Sequence, residues 1–174
     1  MKKNFWNSDR VISFSAILIS VMTLVVLVYQ TNIMREQQRL SVLPYLSMNN
    51  SGTGTSNYSF MLYNNGIGPA FVEAVKVIHK GKEYEMDIPS FLNKYIPKLD
   101  SINNLYHSNV YAGMLIPAGM ELPVLQIDNS KEDADKLFAL FKELSKEGFD
   151  FELTYKSIYN ERWVLRGNTP EKLD

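Results

Sequence analysis

The 174-residue sequence contains no cysteine and only two histidines, His79 and His107. The absence of cysteine excludes a disulfide framework, a thiolate zinc site and a cysteine nucleophile. It leaves the compartment open, because a domain without cysteine is stable on either side of a membrane. Two histidines so far apart in the chain do not indicate a histidine metal cluster. The composition therefore predicts no metal site and no cofactor.

An excess of charge of one sign is also lacking, since 18 basic residues oppose 19 acidic ones for a net charge of −1. This balance gives no case for nucleic acid or an acidic substrate as the partner. Another protein or a second copy of this chain is the kind of macromolecular partner that we expect. A small ligand is compatible with the composition but is not indicated by it.

One stretch lacks charge, proline and glycine altogether: residues 11–29, VISFSAILISVMTLVVLVY. As a helix, its roughly 19 residues span about 28 Å, close to the hydrocarbon thickness of a bilayer. The run is longer than the apolar part of a cleaved signal peptide, and no A-x-A-like cleavage site follows it. It is also apolar on all sides, unlike an amphipathic core helix. The stretch therefore predicts a retained single-pass transmembrane helix.

Residues on both flanks of this run fit a membrane interface. Trp6 and Tyr29 stand where interfacial aromatic rings are expected. Arg35 and Arg39 lie four residues apart, on one face of a continued helix, where they would meet lipid headgroups. Residues 30–42 are good helix formers that end before Pro44, so they predict a juxtamembrane helix. This helix is either a solvated spacer or a short coiled-coil stalk.

Two features bear on how the span is oriented and packed. Ala16 and Ser20 form one small-xxx-small pair, which would let two helices approach closely, although small residues are ordinary in membrane spans. Residues 1–10 form a short polar tail with one more basic group than the segment after the span. The positive-inside rule then predicts a cytoplasmic N-terminus and an extracytoplasmic C-terminal domain.

Residues 43–167 are predicted to form one domain, followed by a frayed polar tail over residues 168–174. Hydrophobic alternation and turn residues predict strands over residues 43–48, 58–64, 71–80, 83–88, 114–116, 121–127, 149–159 and 162–166. Helices are predicted over residues 89–99 and 130–147, and a polar loop over residues 49–57. This order predicts a mainly-β, immunoglobulin-like antiparallel sandwich with one or two added helices. A bulge is expected near Pro123.

The irregular stretch from Asp100 to Ala112 is the candidate recognition site. It carries Tyr106, His107 and Tyr111, and loops on a rigid scaffold often bind partners. An ordinary surface crossover explains the same stretch equally well. No catalytic residue is predicted, because neighbours in sequence rarely reach the geometry that proton transfer needs.

Three stretches carry a resemblance: YQTNIMREQQRLSVLPYL after the span, FMLYNNGIGPAFVEAVKV, and FELTYKSIYNERWVL. Together they resemble uncharacterised single-pass bacterial membrane proteins with an N-terminal anchor and a small β-sandwich domain. The resemblance implies a location in the bacterial inner membrane and brings no active site. The function expected is therefore a non-enzymatic binding or interaction module, alone or within a multi-protein or homo-oligomeric membrane assembly. The alternative is a ligand-gated membrane effector of a bacterial defence system that oligomerises through its transmembrane helix.

Overall fold

A computed structural model describes residues 8–173 of the chain. These residues divide into two compact units, one up to Ser41 and the other from Val42 onward. Trp6 and most of the predicted tail over residues 1–10 lie outside the described residues.

The first unit is one continuous helix, α1, from Ser8 to Leu40. It joins the apolar run to the polar segment after it, as the helix-forming residues beyond the run predicted. All of its residues from Asp9 onward are exposed. Four of its side-chain hydroxyls each donate a hydrogen bond of 2.7–2.8 Å to the carbonyl oxygen four residues earlier. They belong to Ser13, Ser20, Thr23 and Thr31. Within residues 8–173, α1 is the one helix that is long and apolar enough to cross a membrane.

The second unit contains two antiparallel sheets and few helices. Its elements are β1 (Leu46–Ser51), β2 (Tyr58–Asn64), β3 (Ala70–His79), β4 (Lys82–Tyr84), α2 (Ile88–Tyr95), a 3₁₀ helix (Pro97–Ser101), β5 (Leu105–His107), β6 (Leu115–Ile116), β7 (Glu121–Ile127), α3 (Lys131–Lys146), β8 (Asp150–Lys156), β9 (Arg162–Arg166) and β10 (Thr169–Leu173). The four-stranded sheet has the order β1-β2-β7-β5. The six-stranded sheet has the order β10-β9-β8-β3-β4, with β6 also pairing with β3.

Both sheets contribute to a single apolar core. Leu62 of β2, Leu153 of β8 and Leu165 of β9 are fully buried in it, as alternation along the strands requires. Phe91 of α2 and Leu137 of α3 fill the same cluster. The mainly-β prediction for this unit and its two main helices are therefore confirmed.

Local turn chemistry accounts for two of the connections. Lys80 and Gly81 both have positive φ (52° and 74°), which is typical of the two-residue hairpin loop that joins β3 to β4. The register between β2 and β7 shifts beside Pro123, where Phe60 pairs with Leu125 and Met61 with Pro123. This is the bulge that the proline predicted.

Several predicted boundaries were wrong. The first strand begins at Leu46 and continues to Ser51, into the predicted polar loop. The C-terminal segment is not a frayed tail: Thr169–Leu173 forms β10 and pairs with the whole of β9. A two-residue loop with Gly167 at φ 61° turns the chain back, and β9 then offers this segment an unpaired edge. The polar composition of this segment led to the prediction of a tail, but a strand at the edge of a sheet need not bury either face.

The side chain of Asn64, at the end of β2, joins three parts of the chain and is 1% exposed. Its Oδ1 accepts hydrogen bonds from the backbone N–H groups of Tyr45 (3.2 Å) and Gly66 (3.1 Å). Its Nδ2 lies 2.9–3.1 Å from the carbonyl oxygens of Gly68, Ile116 and Pro117. Asn64 therefore satisfies backbone groups where β1, β2 and β6 meet.

Candidate functional site

A groove of about 790 Å³ lies over the outer face of the six-stranded sheet. Strand register places Ala74, Thr154 and Val164 side by side on β3, β8 and β9. They point away from the core, because Leu153 and Leu165, their neighbours along the strands, point into it. These three small side chains form the floor of the groove, which we call the outer groove.

A row of ion-paired side chains flanks this floor, two residues away along each strand. Lys76, Glu152 and Arg166 stand opposite one another in register. Glu152 accepts from Lys76 Nζ at 2.9 Å and from Arg166 Nε at 2.6 Å, and its side chain is 10% exposed. Burial raises the pKa of the Glu152 carboxyl, but these two hydrogen bonds outweigh it and hold the pKa below its ordinary value. The row is therefore charged and held rigid at neutral pH.

Glu73 closes the opposite side of the floor. It is the extra residue of a β-bulge on β3, where the register with β8 shifts between Val72 and Ala74. Its carboxylate binds Arg162 Nε at 2.7 Å and Lys156 Nζ at 3.4 Å. The hydrogen bond from Arg162 is the main cause that lowers the pKa of Glu73.

Asp87 builds the wall of the groove at the sheet edge. Its Oδ1 accepts from the backbone N–H of Ser90 at 3.1 Å and caps α2. Its Oδ2 accepts from Asn109 Nδ2 at 2.8 Å and from the backbone N–H of Val110 at 2.9 Å. A single buried carboxylate therefore fixes the loop that carries Tyr111 against the start of α2.

The structure separates the three residues of the predicted recognition stretch. Tyr111 is 62% exposed and lines the outer groove. Tyr106 and His107 lie on β5, the edge strand of the other sheet, and do not line this groove. Tyr106 is 61% exposed, so both tyrosine rings are accessible, but on different surfaces. The structure thus offers two exposed aromatic positions in place of one cluster.

The residues predicted for membrane contact and helix packing lie along α1. Tyr29, Arg35 and Arg39 are exposed on its later turns. Ala16 and Ser20 are exposed one turn apart, and the Ser20 hydroxyl donates to the Ala16 carbonyl oxygen at 2.8 Å. This hydroxyl has its partner within the helix and needs no second helix to satisfy it. Interface contact and helix packing stay predictions for these five residues.

The charged side chains that line the outer groove are mostly acidic. Its charged lining consists of Lys76, Arg166, Glu73, Glu83, Glu85, Asp87 and Glu152. Both cations are paired with carboxylates, so the charge left without a partner is negative. Within residues 8–173, no group of three or more histidines and acids is placed to hold a metal ion.

Sequence reasoning missed Lys76, Glu152 and Arg166 as a unit. The signal in the sequence was that each of three predicted strands places a charged residue on the face opposite to its apolar residues. The pairing of β3 with β8 joins residues about 80 positions apart, and only the register brings their charges together. No family model, curated protein or solved structure matches the sequence, so the site is defined by its own geometry.

Proposed function

We propose that this protein is a single-pass, membrane-anchored, non-enzymatic binding module of the bacterial inner membrane, with its domain on the extracytoplasmic side. The observation that carries the proposal is the exposure of α1, whose apolar side chains from Val11 to Val28 find no protein surface to cover them within the described residues. Exposure of this apolar surface to water is unfavourable, and the hydrocarbon core of a bilayer is an environment that avoids it. The outer groove supplies the surface for a protein partner, which includes a second copy of the chain.

We further propose that the second unit is an immunoglobulin-like sandwich. The orders β1-β2-β7-β5 and β9-β8-β3 support this proposal. Numbered along the chain as strands A to G, with β4, β6 and β10 set aside, they correspond to the ABED and GFC sheets of that fold. On this assignment β4 and β10 extend the GFC sheet at its two edges, and the outer groove lies on the GFC face.

Alkaline extraction of membranes tests the anchor. The full chain is expected to stay in the pellet, and a Val25→Lys, Val26→Lys variant is expected to shift to the supernatant, because two central charges oppose insertion. A Lys82→Glu variant, altered on the exposed β3–β4 hairpin, serves as the control and should stay in the pellet. Release of the unaltered chain would refute the anchored function.

Fusions at the C-terminus test the orientation. Alkaline phosphatase is active outside the cytoplasm, whereas green fluorescent protein exported by the general secretory route does not fluoresce. We expect phosphatase activity and no fluorescence from matched fusions. The opposite pair of results would place the domain in the cytoplasm and overturn the proposed side.

Photocrosslinking in cells tests the outer groove as the partner surface. A photoreactive amino acid replaces Tyr111 in one variant and Tyr106 in another, two positions with nearly equal exposure. We expect a discrete crosslinked species from position 111 and a weaker one or none from position 106. A band of twice the chain mass would identify a second copy as the partner. A stronger band from position 106 would reject the groove as the binding surface.

A further inference from the structure

A second cavity, of about 460 Å³, lies in the second unit and has a different lining. Half of the residues that line it are aromatic: Tyr58, Phe60, Phe138, Phe141, Phe149 and Phe151. They come from β2, from α3 and from the residues around the start of β8. We call this cavity the aromatic cleft.

The rings of the aromatic cleft leave apolar surface uncovered. Phe60 and Phe141 pack with their centroids 5.3 Å apart, and Phe141 meets Phe149 at 6.1 Å. Phe138 meets Tyr58 edge-on at 6.0 Å and stays 42% exposed. Phe138 belongs to the apolar stripe of α3, yet the domain does not cover its ring. Exposed aromatic surface in a concave site favours an apolar ligand body.

Two polar side chains of the cleft, Lys142 and Asn50, offer hydrogen-bond donors. Lys142 follows Phe138 by one helical turn and has no carboxylate within 4 Å among the described residues, whereas Lys131 and Lys136 of the same helix pair with acids at 3.1 Å and 2.7 Å. Asn50 lines the cleft, and its Oδ1 already accepts from the Tyr58 hydroxyl at 2.7 Å, which leaves its amide N–H groups as donors.

The Tyr58 hydroxyl and the Asp150 carboxylate also line the cleft. Burial raises the pKa of Tyr58 to about 12, so its hydroxyl stays protonated and keeps its bond to Asn50. Asp150, the one acid that lines the cleft, accepts from the backbone N–H of Phe151 at 2.8 Å through Oδ1. Asp150, like Lys142, has no oppositely charged partner within 4 Å among the described residues. The charged group one helical turn from the exposed ring of Phe138 is the ammonium group of Lys142.

We propose that the aromatic cleft binds a small molecule with a flat apolar body and one anionic group. Its volume lies within the range of small-molecule sites, roughly 300–1,000 Å³. The body lies against Phe138 and Phe141, and the anion meets Lys142 at the rim. This site is separate from the outer groove, and its occupancy does not depend on the partner surface or on the membrane orientation.

Calorimetric titration with naphthalene-2-sulfonate tests the proposal directly. The full chain is held in lipid nanodiscs, and titration into empty nanodiscs is subtracted because the probe can contact lipid. We expect saturable binding of one probe per chain. The neutral 2-naphthalenemethanol should bind about tenfold more weakly, because it lacks the charge-assisted contact with Lys142.

Lys142→Glu and Lys146→Glu form a matched pair of variants on α3. Both reverse one charge on the last two turns, but Lys146 does not line the cleft. We expect Lys142→Glu to weaken sulfonate binding tenfold or more while the neutral probe changes less than twofold. Lys146→Glu should change the binding of either probe less than twofold.

Phe138→Leu tests the aromatic wall. Leucine keeps an apolar side chain of similar reach, so the thermal midpoint should hold while both probes bind at least threefold more weakly. Three results would each overturn the proposal: no saturable binding by the unaltered chain, equal losses in Lys142→Glu and Lys146→Glu, or unchanged binding of both probes in a folded Phe138→Leu variant.

Discussion

The long helix and the β-rich unit place their apolar residues in opposite environments. Leu24 of α1 is 62% exposed, while Leu137 of α3 is fully buried. Both residues are leucines, which are good helix formers, so the propensity of the residue itself does not separate them. The difference is that α3 has one apolar stripe, of which Ala134, Leu137, Leu140 and Leu144 are buried, whereas α1 is apolar all round and its apolar side chains from Val11 to Val28 are exposed. Its stability depends on the solvent around it.

Polar groups follow the same division. In α1, hydroxyls such as Thr23 bond to a carbonyl one turn earlier, so each bond stays within the helix. In the second unit, Asn64 bonds to backbone groups from three separate parts of the chain. A bond within one helix survives if the helix moves as a whole, whereas the bonds of Asn64 exist only in the assembled unit. Matched substitutions in the two units measure this contrast.

The largest contrast is expected between Leu137→Ala and Leu24→Ala. Leu137→Ala leaves a cavity in the core and should lower the unfolding free energy of the β-rich unit by about 3 kcal/mol. Leu24→Ala removes an exposed side chain and should leave that free energy unchanged. Denaturant unfolding followed by Trp163 fluorescence, in a Trp6→Phe background, reports on this unit because Trp163 lies in its core.

Equal effects of the two leucine substitutions would break the comparison. They would mean that α1 contributes to the stability of the β-rich unit. An unchanged free energy in Leu137→Ala would instead show that α3 is not part of its cooperative core.

A smaller contrast is expected between Asn64→Ala and Thr23→Ala. Asn64→Ala leaves the N–H groups of Tyr45 and Gly66 without their acceptor in a buried site, which should cost about 2 kcal/mol. Thr23→Ala frees a carbonyl oxygen that keeps its backbone partner, so the same unfolding transition should not move. An Asn64→Asp variant separates the two roles, because it keeps the acceptor and loses the donor. If this variant is as stable as the unaltered chain, the hydrogen bonds of Asn64 Nδ2 add nothing to the unfolding free energy.

The elements that the sequence predicted best are those with one clear period. The apolar run of α1, the apolar stripe of α3 and the alternation of β2 each follow from residues that are neighbours in the chain. Caps and breakers fixed their ends, as Gly148 does after α3 with φ 75°. These local signals are enough to predict an apolar helix followed by a mainly-β unit.

Long-range pairing is what the sequence did not predict. The strand β10 carries no apolar alternation, and only its pairing with β9 makes it a strand. The row of Lys76, Glu152 and Arg166 requires the register of β3, β8 and β9, which no local pattern contains. The aromatic cleft was hidden for a related reason, since Phe138 matches the apolar stripe and the sequence does not show that its ring stays uncovered.

The third contrast compares Ser130→Ala with Ser20→Ala. Ser130 caps α3 by accepting from the backbone N–H of Asp133 at 3.2 Å, and its hydroxyl lies 3.0 Å from the Asp133 carboxylate. Loss of this cap should destabilise the β-rich unit by about 1 kcal/mol. Ser20→Ala lies in mid-helix of α1 and should have no effect on that unit. A Ser130→Asp variant is expected to recover part of the loss as a cap. Failure to do so would mean that the hydroxyl acts mainly through Asp133.

The smallest effect concerns acid stability and separates Glu152 from Glu36 of α1. The pKa of Glu152 is lowered in the folded unit, so its contribution is present above the ordinary glutamate pKa of about 4.3 and is lost as the pH falls through the lowered value. Glu152→Gln should therefore cost about 0.5 kcal/mol at pH 7, and this difference should shrink as the pH falls through the lowered pKa of Glu152. Glu36→Gln should leave the unfolding of the β-rich unit unchanged across the same range, because Glu36 forms no ion pair among the described residues. Chemical denaturation at pH 7, 5, 4 and 3 measures both variants. A Glu152→Gln difference that grows toward acid would mean that the carboxylate destabilises the fold, and the outer groove would then lose its rigid ion-paired wall.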